Sequence, residues 1–153
     1  MALNKITLLN ELRKFGDPQY SGFTGWPSSL SDSADKWAEA LGLYASTILP
    51  VSLGLTQAKS DFKTQFLLIT SGTAPVQLPV AFTAFALALG LGMQPLYTAV
   101  PPPIPISFTP VIAIGFVSSN QVCLSLASDI IDVWFKTGTA TLNSPPGTTI
   151  PWS

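Results

Sequence analysis

Hydrophobic and polar residues alternate along this chain so as to predict five helices, three from apolar stripes, one apolar all round and one from a polar stripe, and two proline-rich stretches break the pattern. In the first helix, Leu8, Leu12 and Phe15 share a stripe, with Glu11, Arg13 and Lys14 mostly off it. That spacing predicts a helix from about Leu3 to Phe15, with Asn4 as candidate cap and Gly16-Asp17-Pro18 as stop. Residues 16–30 read as an irregular loop. Its aromatics Tyr20, Phe23 and Trp26 are unusual for a solvated linker and predict packing against something.

The clearest helix is predicted over Ala34 to Leu49. Ala34, Trp37, Ala38, Leu41, Tyr44, Ala45 and Ile48 make its stripe, Asp32 or Ser33 its cap, and Pro50 its end. A third is predicted from Leu53 to Thr70, capped by Ser52 and stopped at Ser71-Gly72. Its face is Leu55, Ala58, Phe62, Phe66 and Ile69. A fourth, Pro79 to about Leu91, has proline in its first turn and is apolar all round. A helix without a polar face must be enclosed on every side. In a domain this small, a neighbouring subunit is a natural supplier of the missing cover.

Pro95 to Pro110 contains Pro101, Pro102, Pro103 and Pro105, and is expected to be extended and polyproline-like. Val111 to Phe116 fits either a strand or a helical turn. The last helix, Asn120 to Lys136, is read from a polar stripe of Gln121, Ser125, Ser128, Asp132 and Lys136, with Asp132 and Lys136 an i,i+4 pair. Thr139 to Ser153 reads as an extended arm. The expected fold class is therefore all-α: a small bundle of about five helices with a proline-rich crossover and an extended C-terminal arm. Residues 1–33 form an N-terminal helix and aromatic loop, 34–138 the helical core, and 139–153 the arm.

Composition sharpens this picture. Of the 153 residues, 47% are hydrophobic and 10% charged, against about 25% charged in ordinary soluble domains. No charge occurs between Lys63 and Asp129. Seven basic against eight acidic residues leave no basic footprint for nucleic acid. Met1 to Phe15 is broken by charges and lacks the apolar core of a secretory signal. Leu78 to Met93 is the best membrane candidate, but it is shorter than the about 20 residues of a span and has no flanking Lys or Arg. A helix buried in protein is the preferred reading.

Candidate chemistry is sparse. Histidine is absent, which removes the commonest general base and metal ligand and forbids a Ser–His–Asp triad. The single cysteine, Cys123, reads as a small buried hydrophobe. Asp129 with Asp132, and Asp32 with Asp35, read as acids on a solvated helix stripe and in a helix first turn. Gly90 and Gly92 lack the third glycine and the lysine of a phosphate loop. No enzymatic activity, cofactor, metal or small-molecule substrate is expected. Pro102-x-x-Pro105 has the spacing read by proline-binding domains, but its apolar neighbours favour a buried crossover over an adaptor motif.

Three segments carry a resemblance. They are Ala34-Asp35-Lys36-Trp37-Ala38-Glu39-Ala40 with Tyr44-Ala45 and Ile48-Leu49-Pro50-Val51-Ser52; the central Pro101-Pro102-Pro103-Ile104-Pro105-Ile106; and Ile131 to Thr141 with Pro145-Pro146-Gly147 and Pro151-Trp152-Ser153. Together, over roughly Ala34 to Ser153, they resemble small virion structural proteins of tailed (contractile-tailed, myovirus-like) bacteriophages. The resemblance implies a non-enzymatic subunit of a phage particle, present in many copies, and does not itself place it; the expected position is the tail, baseplate or neck, with the head as an alternative. It brings no catalytic residues. The implied partners are copies of the chain and other virion proteins, with no nucleic acid or membrane, and the implied location is the virion assembled in the host cytoplasm. The expected subunit contacts are Trp26, Pro101, Pro102, Pro103, Pro151 and Trp152, aromatic or proline residues outside the helical stripes. The rival reading is a small membrane-associated protein using residues 78–93.

Overall fold

The computed structural model describes residues 2–115 and 118–153. Six helices and three strands follow in the order α1 (Lys5–Gly16), α2 (Leu30–Ala45), α3 (Leu55–Phe66), α4 (Ala74–Leu91), β1 (Tyr97–Val100), α5 (Thr109–Ile114), α6 (Asn120–Phe135), β2 (Thr139–Leu142) and β3 (Thr149–Pro151). The chain is mostly helical, but not all-α.

The helices start where side chains satisfy their free N–H groups. The Asn4 side chain accepts from the Ile6 N–H at 2.9 Å, and Ser119 caps α6 through the Val122 N–H. α2 begins four residues before Ala34, because Ser29 and not Asp32 or Ser33 is its cap. The Ser29 hydroxyl accepts from the Asp32 N–H at 3.0 Å, while the Asp32 carboxylate turns back to accept from the Ser28 N–H at 2.8 Å. At its other end α2 stops at Ala45, short of the expected Leu49. The Leu49 backbone is engaged elsewhere, donating to the Ser153 carbonyl at 2.7 Å and accepting from the Ser153 N–H at 3.1 Å.

α3 is shorter than expected at both ends. The Ser52 hydroxyl donates to the Leu89 carbonyl at 2.6 Å, which ties the α2–α3 connection to α4 and leaves α3 without a side-chain cap. α4 is longer, starting at Ala74 with Pro75 in its first turn, so that Pro79 lies inside the helix. The Gln77 side chain donates to the Gln65 carbonyl at 2.9 Å and fixes this early turn to the end of α3. Of the run Val111–Phe116, Val111 to Ile114 belong to α5 and Phe116 lies outside the described residues.

The C-terminal segment, expected as an extended arm, pairs within the chain. Residues 139–142 pair antiparallel with β1, from Tyr97↔Leu142 to Val100↔Thr139, and β3 folds back on β2 from Thr139↔Pro151 to Thr141↔Thr149. Thr139, Thr141 and Thr149 suit a pleated surface, and Pro151 sits on the edge strand, where a missing N–H breaks no ladder. The proline-rich crossover therefore contributes a strand, and the arm finds its partner within the same chain.

α1 packs on α2 and α6, α2 on α3, and α3 along α4, with β1 against α4. One apolar core joins them, and it takes in Leu8 and Leu12 of α1 as well as Trp152 of the C-terminal segment. Its centre is aromatic. Phe62 meets Phe82 edge-on at 5.4 Å, Phe85 meets Phe135 at 5.9 Å, and Phe135 lies 5.6 Å from Tyr44 and 6.4 Å from Trp152.

Candidate interaction surface

α6 presents only the ends of its polar stripe, Gln121 and Lys136, to water. Ser128 and Asp132 are buried, whereas Val133 is exposed. Its middle turns toward the core, where one bond reaches α2 and two close within α6 itself. The Tyr44 hydroxyl donates to Asp132 at 2.7 Å, Lys136 Nζ donates to the other Asp132 oxygen at 2.7 Å, and the Ser128 hydroxyl donates to the Ser125 carbonyl at 2.8 Å. Burial, and then the neighbouring Asp132 carboxylate, push the Tyr44 phenol far above its ordinary range. Asp129 pairs separately with Lys5 of α1, whose ammonium is raised by that hydrogen bond. The two α6 acids thus hold three helices together and do not converge on a cleft.

The other acids are likewise occupied. Asp32 is held below its ordinary value by the Ser28 N–H and then by Lys36. Asp35 pairs with Lys63 and Glu39 with Lys59, both at 3.0 Å, across the α2–α3 contact. Among the described residues no group of three or more His, Cys, Asp or Glu is placed to hold a metal ion. Cys123 is half-buried at the wall of an apolar cavity, more open than a core cysteine.

The six expected contact residues scatter. Trp26 is 57% exposed, edge-on to Phe23 at 5.6 Å. Pro103 and Pro151 are exposed, Pro101 half-buried and Pro102 buried. Trp152 is 0% exposed. Its indole N–H donates to the Thr139 carbonyl at 3.1 Å, and its backbone N–H to the Gly138 carbonyl at 2.8 Å. A side chain at position 138 would collide with the indole ring, so glycine is required there. Trp152 is a core residue and is withdrawn as a subunit contact. The crossover is not a buried unit either, since Ile104 and Pro105 stand in solvent between buried Pro102 and Ile106.

Two apolar features remain. On α4, Val76, Val80, Leu87 and Leu91 fall at spacings of 4, 7 and 4 residues, on one side of the helix, and are exposed, Val76 at 74% and Leu91 at 68%. They form a seam about 22 Å long at 1.5 Å per residue. Its flanks hold Gln57, Asp61, Thr64 and Gln65 of α3 on one side and Pro105 on the other. Behind it, Phe82, Phe85 and Leu89 of the same helix fill the core. The helix is apolar on both sides but covered on one. The second feature is a cavity of about 340 Å³ between α4, α5 and α6, lined by Trp37, Leu78, Phe108, Val111, Cys123 and Leu124 among others. The all-apolar composition of α4 signalled the seam. Nothing in the residue pattern signalled the cavity, because α5 is too short to show a period.

These features define a small, mostly helical domain with a three-stranded sheet and an exposed apolar seam on α4. No protein-family profile, curated protein or solved structure matches the chain.

Proposed function

We propose that the chain is a non-enzymatic structural subunit of a bacteriophage virion, in the tail, baseplate or neck, that joins neighbouring subunits through apolar surface. The observation that carries this reading is the uncovered seam Val76, Val80, Leu87 and Leu91. Large contiguous apolar patches on soluble chains mark interaction sites. No charged residue lies anywhere from residue 64 to 128, and Asp61 is the single charge among the described residues beside the seam, so the seam suits a largely uncharged partner surface. Leu87→Glu with Leu91→Glu tests it, because both side chains point outward and their change spares the core. The expected result is that wild type forms concentration-dependent assemblies by light scattering and enters particles, and that the double variant does neither while keeping its helical circular dichroism. Monomeric wild type at every concentration, with no incorporation into purified particles, overturns the reading. An electron-microscopy map of such particles would place the subunit.

One observation favours a second reading, a membrane-associated protein. α4 has 18 residues with mean hydropathy 1.7, long and apolar enough to cross a bilayer by length and composition. Recovery in a washed, detergent-free aqueous fraction decides against it, and partition into liposomes without particle association decides for it.

A further inference from the structure

α4, with 18 residues, has no charge to answer its dipole. Its first turn holds no acid, its last turn no base, and no side chain caps it. By contrast α1 ends on Arg13 and Lys14, and α2 begins with Asp32. A helix carries partial positive charge at its N-terminus and partial negative charge at its C-terminus. α3 answers this on one side by running antiparallel. The Leu53 N–H donates to the Gly92 carbonyl at one end, and the Gln77 side chain to the Gln65 carbonyl at the other, both at 2.9 Å. On the seam side α4 faces no such neighbour.

The seam is also symmetric. Its spacings of 4, 7 and 4 read the same from either end, about a midpoint between Thr83 and Ala84. Both residues at that midpoint are small, which lets another helix come close. The Thr83 hydroxyl already donates to the Pro79 carbonyl at 2.9 Å, so covering it strands no polar group. Hollows of about 490 and 380 Å³ flank Ala84 and Leu87 and suit the ridges of a second helix. The four seam side chains leave roughly 400 Å² of apolar surface in water, the size of a patch that marks an interaction site. Exposed Leu53, beside Gly92, and exposed Leu68, beyond Gln65, continue it at the two ends. They bring it toward the roughly 800 Å² per partner that a stable dimer buries.

We propose that the seam is covered by α4 of a second copy, packed antiparallel about a two-fold axis between Thr83 and Ala84. A two-fold contact uses the same patch on both chains. Turned end for end, Val76 of each copy meets Leu91 of the other, and Val80 meets Leu87, so every valine faces a leucine. Each N-terminus then lies beside the other copy's C-terminus and the dipoles attract, whereas a parallel pair sets like ends together. Asp61, to which Gln57 donates at 2.6 Å, stays at the rim, where water and salt screen it. The inference rests on the assembly reading above and names one contact within it.

Cross-linking in the full chain tests it, with Cys123→Ala as background and each variant checked for fold by circular dichroism. Sedimentation velocity of the background is expected to show a dimer. A short bismaleimide is expected to join Ala84→Cys to itself, at the crossing, and Val76→Cys to Leu91→Cys when the two are mixed. Leu91→Cys alone is expected to link at least tenfold more slowly, because its two copies lie about 22 Å apart along the seam. Leu91→Cys linking to itself as fast as Ala84→Cys overturns the inference, since it marks a parallel pair. Failure of Ala84→Cys to link in a chain that dimerises overturns it too. A background chain that is monomeric alone yet enters purified particles also overturns it. That result leaves the structural-subunit reading standing, with another virion protein on the seam. A monomer that neither cross-links nor enters particles overturns both readings, and its partition into liposomes then identifies lipid as the occupant.

Discussion

The aromatic loop of residues 17–29 and the C-terminal segment of residues 139–153 are alike as sequence. Each is proline-containing, rich in small polar residues and carries a tryptophan. Their fates are opposite. The C-terminal segment meets β1, whose backbone offers an open edge, and its last residues exchange hydrogen bonds with Leu49, so Trp152 is drawn into the core beside Phe135. The loop has no strand to pair with. It is pinned at Thr24 and turns Trp26 outward. A buried tryptophan therefore follows from an available backbone partner more than from the local residue pattern.

Stability measurements can break this comparison. Trp152→Ala is expected to have the largest effect, a loss of about 3–5 kcal/mol for a large aromatic removed from a packed core, read by urea unfolding. A loss below about 0.5 kcal/mol, the ordinary range of a surface change, would remove the distinction between the two segments.

Tyr44→Phe comes next, because it withdraws one donor from buried Asp132. The expected cost is about 1–3 kcal/mol. The same variant tests the raised phenol. The unfolded chain ionises Tyr44 near its ordinary value of 10.0, while the folded chain keeps the proton. Folded stability is thus complete below pH 10 and falls as pH rises above it. Tyr44→Phe should lack that part of the alkaline loss, and parallel pH curves for the two proteins would show the assignment to be wrong.

Ser29→Ala should cost about 1 kcal/mol as the loss of a helix cap. Its partner Asp32 has a lowered folded-state value, so its contribution is present above its ordinary 3.8 and disappears as pH falls through the folded value. In Asp32→Asn that acid-side loss should be absent. Trp26→Ala is expected to have the smallest effect, within about 0.5 kcal/mol. A large loss of monomer stability would place Trp26 with Trp152 instead of opposite it.

Much of the helical framework was legible because its causes are local. The stripe Leu8, Leu12 and Phe15, the Asn4 cap, the α2 stripe from Ala34 to Tyr44, and the span of α6 from Asn120 all depend on residues within a turn or two. The all-apolar composition of α4 likewise pointed to a helix needing outside cover. Boundaries were less legible. Ser29, Ser52 and Pro79 each satisfy rules for starting a helix, and which rule wins depends on Asp32, Leu89 and Gln65 respectively.

What tertiary structure alone decided is non-local. β1 and β2 pair residues about 40 apart in sequence, and no periodicity within either segment announces its partner. The polar stripe of α6 looked solvated because a serine or aspartate has the same period whether it faces water or a buried tyrosine; only the approach of α2 made Asp132 internal. The sequence by itself determined where the helices run, the absence of charge from residues 64 to 128, and the presence of two tryptophans outside any helix. Packing decided which of those tryptophans became core and which surface, because burial is a property of the neighbours a side chain finds.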